Sequence, residues 1–167
     1  MIELTCCPST LQKGFSTYSP VALKELFNSQ KVNHILPYNG MDNNETEQKE
    51  FQNNNKHMSI SGAQQKYSLV VDNGQMRLSL EQEQATLLLK TKLSEYANKE
   101  ISPANEHLTM QIASQVYNIP TAANGLCFFQ NDEPAYITRR FDIAPNGRKF
   151  RKEEKSAADK GRKIRGL

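Results

Sequence analysis

The apolar positions of this chain fall into short groups separated by polar stretches, and each group has the spacing of a helix or a strand. The first group follows Ser19, whose side chain suits a helix N-cap, and Pro20, which suits the first helical position. We predict a short helix from Ser19 to Phe27, because its apolar residues share one helical face. Met41 to Lys56 is rich in Asn, Gln and Glu, which predicts a mobile loop.

Three apolar runs of strand length come next. They span Tyr67–Val71, Gln75–Leu80 and Thr86–Lys90. The first two runs are separated by Asp72-Asn73-Gly74, and Asn-Gly is the dipeptide favoured in two-residue hairpin turns. We therefore predict a β-hairpin followed by a third strand, with Lys90 at the end of that strand.

A helix is predicted over residues 104–117, after Ser102 and Pro103 repeat the cap and proline signal. Its apolar residues recur at four-residue spacing, and we expect the stripe that they form to be buried. The stripe consists of Leu108, Ile112 and Val116. His107 is expected at the surface, because no other metal-ligand residue type clusters near it. Two further strands complete the pattern, at Leu126–Phe129 and Ala135–Phe141.

The element order is β-β-β-α-β-β, which predicts an α+β fold with a mainly antiparallel sheet. This is the element order of the small lobe of a protein kinase. Lys90 and Glu106 have the order and spacing of the strand lysine and helix glutamate that pair in kinases and fix the ammonium near the ATP phosphates. Two alternatives remain open. Lys90 could be an edge-strand charge that reaches water, and Glu106 a first-turn residue that complements the helix dipole.

The loop from Ser59 to Lys66 contains small side chains and one glycine, Gly62, just before the first strand. Small residues let backbone N–H groups approach phosphate oxygens, so this loop is a candidate phosphate contact. One glycine is too few for a Walker A or G-x-G-x-x-G loop. An ordinary loop that enters a hairpin is therefore the alternative.

Four blocks of the chain, taken in order, resemble HipA-family kinases, which are toxins of bacterial toxin–antitoxin modules. The blocks are Met58–Gln64, Leu87–Lys90, Asn105–Met110 and Ile137–Asp142. The opening segment, Cys6 to Leu26, is more similar to the shorter HipT branch than to full-length HipA. The resemblance covers most of residues 4–142, and these correspond to the N-terminal part of such a kinase only.

This resemblance implies a serine/threonine kinase that uses Mg-ATP and whose family-type substrates are aminoacyl-tRNA synthetases. By position, Lys90 matches the lysine that contacts the ATP phosphates and Glu106 matches its helix partner. Arg139 and Phe141 match the hinge that holds adenine. The positions that match the phosphate loop are Ser59, Ile60, Ser61, Gly62 and Ala63, of which Ser59 and Ser61 match its autophosphorylation sites.

Family members carry their catalytic and metal-binding groups in a large lobe, in an Asp-x-His-x-x-Asn segment and a later Tyr-Asp. Neither occurs in this sequence. We therefore expect no catalytic residue and no metal ligand in this chain, weak or no ATP binding, and no phosphotransfer by the chain alone. Gln65 and Thr91 also replace prolines that are common in the family. The alternative function is a non-catalytic interaction module that binds an antitoxin or a complementary kinase fragment.

Charge divides the chain unevenly. Residues 149–167 hold eight Lys or Arg against three Asp or Glu, although the whole chain has a net charge of only +3. We predict three parts: an N-terminal extension at 1–56, the small lobe at 57–142 and a basic, disordered tail at 143–167. A tail that binds nucleic acid is the alternative. The tail has no aromatic residue after Phe150 that could stack on a base.

The remaining sequence features bear on compartment. No run approaches the roughly 18 apolar residues of a membrane span, and the first residues lack the pattern of a secretory signal. The three cysteines, Cys6, Cys7 and Cys127, cannot all pair with one another and form no C-x-x-C motif. These features predict a protein of the reducing cytoplasm without structural zinc.

Overall fold

The computed structural model describes residues 2–40, 45–56, 66–92 and 98–143. The predicted phosphate loop, Ser59 to Ala63, and the predicted tail from residue 144 onwards lie outside these ranges. Helix α1 spans Pro20–Phe27, as predicted. Ser19 caps this helix, because its Oγ accepts a hydrogen bond from the Ala22 N–H at 3.3 Å.

Five strands in the described part of the chain form one antiparallel sheet. They are β1 (Lys66–Asp72), β2 (Gln75–Leu78), β3 (Leu87–Lys90), β4 (Asn124–Phe128) and β5 (Pro134–Arg139). Their order is β2-β1-β3-β5-β4, and the sheet curls into a half-barrel. The β1–β2 hairpin turns at Asn73 and Gly74, which have φ of 49° and 77°, as the Asn-Gly signal predicted. The α+β prediction is confirmed, and the fold is consistent with a kinase-like small lobe.

Strand β3 lies in the middle of the sheet, between β1 and β5. The edge-strand interpretation of Lys90 is therefore wrong. Successive side chains of a strand point to opposite faces, and Leu87 and Leu89 are fully buried on one face. Lys90 lies on the other face, directly across from Tyr136 of β5 and Lys66 of β1.

The face that buries Leu89 packs against the N-terminal segment and helix α2, which spans Glu45–Lys56. Phe51 of α2 is fully buried in an aromatic cluster. Its ring centroid lies 4.8 Å from that of Tyr67, 5.0 Å from that of Tyr38 and 6.0 Å from that of Phe129. The prediction of a loop over residues 41–56 was thus wrong for residues 45–56, because one buried aromatic ring docks an otherwise polar helix.

Helix α3 spans Ser102–Gln111, after a 3₁₀ turn at Lys99–Ile101, and it continues as a π-helical turn at Ile112–Val116. The predicted apolar stripe is present but is not buried, so that expectation was wrong. The three side chains of the stripe are exposed, Leu108 to 50%, Ile112 to 41% and Val116 to 65%. No helix in the described ranges is long and apolar enough to cross a bilayer.

A different face of α3 packs against the sheet. His107, which the sequence placed at the surface, is only 2% exposed, and Pro103 is buried on the same face. The surface prediction for His107 was wrong, because its imidazole Nδ1 hydrogen-bonds the Asn124 side chain of β4 inside the protein. Glu106 lies in the second turn of α3, and the first turn holds no acidic residue. The helix-dipole interpretation of Glu106 is therefore also wrong.

The N-terminal segment runs alongside β4. The Leu126 N–H donates to the Pro8 carbonyl at 2.7 Å, and the Ser9 Oγ donates to the Asn124 carbonyl at 2.6 Å. Gly125 lies at the point of closest approach, where a Cβ would come within 3.0 Å of the Ser9 Cβ. The missing side chain at Gly125 therefore allows the N-terminal segment to pack directly on the sheet that carries Lys90.

Candidate functional site

An ion pair joins the middle strand of the sheet to α3. The Lys90 Nζ donates a hydrogen bond to the Glu106 Oε1, and the two side chains are 20% and 28% exposed. The same ammonium lies 5.3 Å from the ring centroid of Tyr136, within cation–π range. The pair and the ring together fix the position of a cation that still contacts solvent. The structure thus brings together Lys90 and Glu106, as the sequence predicted.

The surroundings of Lys90 favour an anion. A lysine ammonium has three N–H donors, and Glu106 takes one of them. Lys66 lies directly across from Lys90 on β1 and adds a second cation to this face of the sheet. Burial and the neighbouring Glu106 charge raise the pKa of Tyr136 to about 12, so its hydroxyl stays neutral at physiological pH. Two lysines beside a neutral ring can bind a phosphate oxygen electrostatically.

A buried polar cluster fixes α3 on β4. The Asn124 Oδ1 accepts from the Gln111 Nε2 at 3.0 Å and lies 2.9 Å from the His107 Nδ1. The Asn124 Nδ2 donates to the Ala122 carbonyl at 2.9 Å, which identifies Oδ1 as the acceptor. His107 must therefore carry its proton on Nδ1. Burial lowers the pKa of His107, so the ring is neutral near pH 7.

Sequence reasoning missed this cluster. His107 and Gln111 are four residues apart and share a helical face, but their partner, Asn124, belongs to the next strand. The only available signal was the absence of charge from residue 107 to residue 131. An uncharged segment of that length is compatible with polar groups that bond to one another inside the protein, but it does not say which ones pair.

Comparison with protein families adds one result to this geometry. A profile described as HipA-like C-terminal domain matches residues 58–159, which is more than half of the chain. The chain belongs to this family. The matched range includes all five strands, α3, Lys90 and Glu106. No curated protein matches the chain.

The two predicted hinge residues, Arg139 and Phe141, lie in different surroundings in the HipA-like domain. Arg139 lies across from Leu87, so it is on the opposite sheet face from Lys90, and its Nη1 donates to the Glu25 carbonyl of α1 at 2.8 Å. Phe141, two residues after β5, is 72% exposed. The structure therefore does not gather Arg139 with the Lys90–Glu106 pair, and the hinge role of Phe141 stays a prediction.

Sequence reasoning also missed how the segment after β5 is held. The guanidinium of Arg140 pairs with the Asp142 carboxylate at 2.7 and 3.0 Å, and the Arg140 N–H donates to the Thr86 carbonyl at 2.9 Å. This two-contact pairing is the favoured geometry of arginine with a carboxylate. Arg140, rather than Arg139, thus fixes the chain just before Phe141.

Membership of the HipA family implies ATP with Mg²⁺ as the nucleotide. Lys90 suits a phosphate oxygen, as described above. Within the described ranges, no group of three or more His, Cys, Asp or Glu residues could hold a metal ion. Ser59, Ile60, Ser61, Gly62 and Ala63 lie outside those ranges, so their predicted phosphate contact stays a prediction.

Proposed function

We propose that this chain supplies the small lobe of a HipT-like serine/threonine kinase and that Lys90, held by Glu106, contacts the phosphates of ATP. The observation that carries the proposal is the ion pair between the middle strand and α3, in a chain of the HipA family. A cation fixed by an acid and an aromatic ring is oriented before the nucleotide arrives, which lowers the entropy cost of binding. The phosphate-loop and autophosphorylation roles of Ser59 to Ala63 belong to the same proposal.

Nucleotide binding by the polypeptide of residues 1–167 tests this role of Lys90. We expect added ATP to shift the NMR signals of Lys90, its β3 neighbours and residues 59–66, with a Kd of roughly 1 mM or weaker, because residues 1–167 contain neither the Asp-x-His-x-x-Asn segment nor the Tyr-Asp that hold magnesium in the family. Lys90→Met keeps the apolar stem and removes the charge, so it should abolish these shifts.

Lys24→Ala is the matched control, because Lys24 is an exposed cation on α1, whose buried residues belong to the core cluster on the sheet face opposite Lys90. It should leave the ATP response unchanged. Two results would overturn the proposal. One is an equal loss of response in both variants, and the other is a response centred on residues 149–167, which would indicate diffuse charge attraction by the tail.

A second candidate function is a non-catalytic interaction module that binds an antitoxin or a complementary kinase fragment. The exposed stripe on α3 favours it, because contiguous exposed apolar residues are typical of interaction surfaces. Aminoacyl-tRNA synthetase substrates and any indirect link to nucleic acid belong to the kinase proposal and rest on the family alone.

Phosphotransfer assays separate the two candidates. We expect no phosphoserine at Ser59 or Ser61 when the polypeptide of residues 1–167 is incubated alone with Mg-ATP, since it contains no Asp-x-His-x-x-Asn segment. A complementary HipA-type large lobe should restore phosphorylation if the chain is a kinase small lobe. Restoration that survives Lys90→Met but fails with Leu108→Ser would favour the interaction module, and phosphoserine without the added lobe would contradict the expectation.

A further inference from the structure

Helix α3 has two faces that could pack against the sheet. One is the apolar stripe of Leu108, Ile112 and Val116, which hydrophobic burial would favour. The other is the polar face of His107 and Gln111, which is the one that packs against β4. The buried donors of a polar face need hydrogen-bond acceptors, because an unpaired buried polar group is costly.

Asn124 supplies the acceptor for the two donors of this face, whereas the buried His107 Nε2 has no hydrogen-bond partner within the described residues. The Asn124 Oδ1 accepts from the His107 Nδ1 and the Gln111 Nε2, so one amide oxygen receives two donors from successive turns of α3. The main-chain carbonyl of Asn124 is held by Ser9, and the Asn124 side chain is 4% exposed. The side-chain amide is held by its own Nδ2, which donates to the Ala122 carbonyl, so its Oδ1 is turned toward α3.

The rotation of α3 about its axis decides where Glu106 points. Consecutive residues of an α-helix are about 100° apart around its axis. With His107 turned to β4, Glu106 faces β3 and reaches Lys90. If α3 turned by about 100° to bury Leu108, His107 would take the place of Glu106, and Glu106 would turn away from Lys90.

We propose that Asn124 is a positioning residue that holds α3 in the rotation that places Glu106 on Lys90, against the pull of the apolar stripe. The effect of Asn124 on ATP binding rests on the proposed function of Lys90. The effect of Asn124 on the Lys90–Glu106 ion pair does not rest on that function, because the rotation of α3 can be measured without nucleotide.

The test uses Asn124→Leu, which keeps the size of the side chain and removes the acceptor. Two measurements are made without ATP: the relaxation of the Leu108 and Ile112 methyl groups by a soluble paramagnetic agent, and the NOE between the Lys90 Hε and Glu106 Hγ protons. In the variant we expect the relaxation to fall severalfold, toward the value of the buried Leu89 methyls, and the NOE to disappear. Asn105→Leu, at an exposed position of the same helix, is the matched control and should change neither.

A second pair of variants keeps the proposal decisive if Asn124→Leu fails to fold. In His107→Asn the Nδ2 occupies about the place of the imidazole Nδ1, so the donor to Asn124 is retained and the ion pair should persist. His107→Leu removes the donor and should behave like Asn124→Leu. If Asn124→Leu and His107→Leu both fail to fold, Gln111→Leu takes their place. This variant, at a partly buried position, removes the other donor to Asn124 and should have the same effect on the methyl relaxation and the NOE.

A folded Asn124→Leu, His107→Leu or Gln111→Leu with unchanged methyl relaxation and an intact Lys90–Glu106 NOE would overturn the proposal. Added ATP then separates the two levels. The wild-type response at Lys90 should weaken about tenfold in Asn124→Leu, as expected when a charged contact is misplaced. If the wild-type chain shows no ATP response at Lys90, the proposed function fails, whereas the nucleotide-free measurements still decide the role of Asn124.

Discussion

Replacing Phe51 with alanine is expected to lower the free energy of unfolding by about 3–5 kcal/mol, the range for large aromatic truncations in protein cores. Phe51 is fully buried, and its ring packs against Tyr38, Tyr67 and Phe129. Its loss leaves a cavity between α2 and β1, and among residues 45–53 of α2, whose burial the structure describes, no other residue belongs to the apolar cluster of the sheet. Urea unfolding followed by far-ultraviolet circular dichroism measures the change, with the m-value as a check on two-state behaviour.

Gln52→Ala is the control for the Phe51 variant. Gln52 is the next residue of α2 and is exposed, so alanine there should leave stability within about 0.5 kcal/mol of the wild type. If Phe51→Ala were no more destabilising than Gln52→Ala, α2 would contribute little to the folded state. The prediction of a loop over residues 41–56 would then describe the solution behaviour better than the helix does.

Phe51 also shows why the sequence did not predict α2. Composition predicted a loop, because Asn, Gln and Glu dominate and only one large apolar residue lies between Glu45 and Lys56. A helix with one apolar anchor gives almost no periodic signal. What forms it is the aromatic pocket between Tyr38 and Tyr67, whose residues are far apart in sequence and meet only in the folded chain.

The strands were easier to predict. The hairpin signal at Asn73-Gly74 and the runs of apolar residues located β1 to β5 to within a few residues. These signals are local, because each depends on neighbouring residues only. The prediction of strand limits was less good at the ends: the last strand was expected to reach Phe141 and instead ends at Arg139. The Arg140–Asp142 ion pair follows directly after this end.

The candidate site, too, was predicted in part only. Lys90 and Glu106 were found from spacing, and the structure joins them. The rotation of α3 that joins them was predicted wrongly, because the periodicity of Leu108 and Ile112 gives the apolar face and not the face that docks. Only the position of Asn124 in three dimensions makes the polar face the buried one. Periodicity therefore identified the helix but not its orientation.

The other large expected effect concerns Tyr18, in the N-terminal segment outside the matched HipA-like range. Tyr18 is 2% exposed, its ring lies 4.9 Å from that of Phe27, and its hydroxyl donates to the Leu126 carbonyl of β4 at 2.8 Å. Tyr18→Ala should lower the free energy of unfolding by about 3–5 kcal/mol, since it removes a buried ring and leaves a carbonyl without its donor. Tyr18→Phe keeps the ring and should cost only about 1–3 kcal/mol.

Tyr117→Ala is the matched control, because Tyr117 is the same residue type at 69% exposure, and it should change stability by less than about 0.5 kcal/mol. Hydrogen exchange shows how far the effect spreads. If the N-terminal segment and the sheet unfold together, Tyr18→Ala lowers protection at the β3 amides as much as at the Leu126 amide, which donates to Pro8. Lost protection at Leu126 with unchanged β3 amides would instead mean that the segment detaches alone. In that case the sheet and its Lys90–Glu106 pair would keep their stability without it.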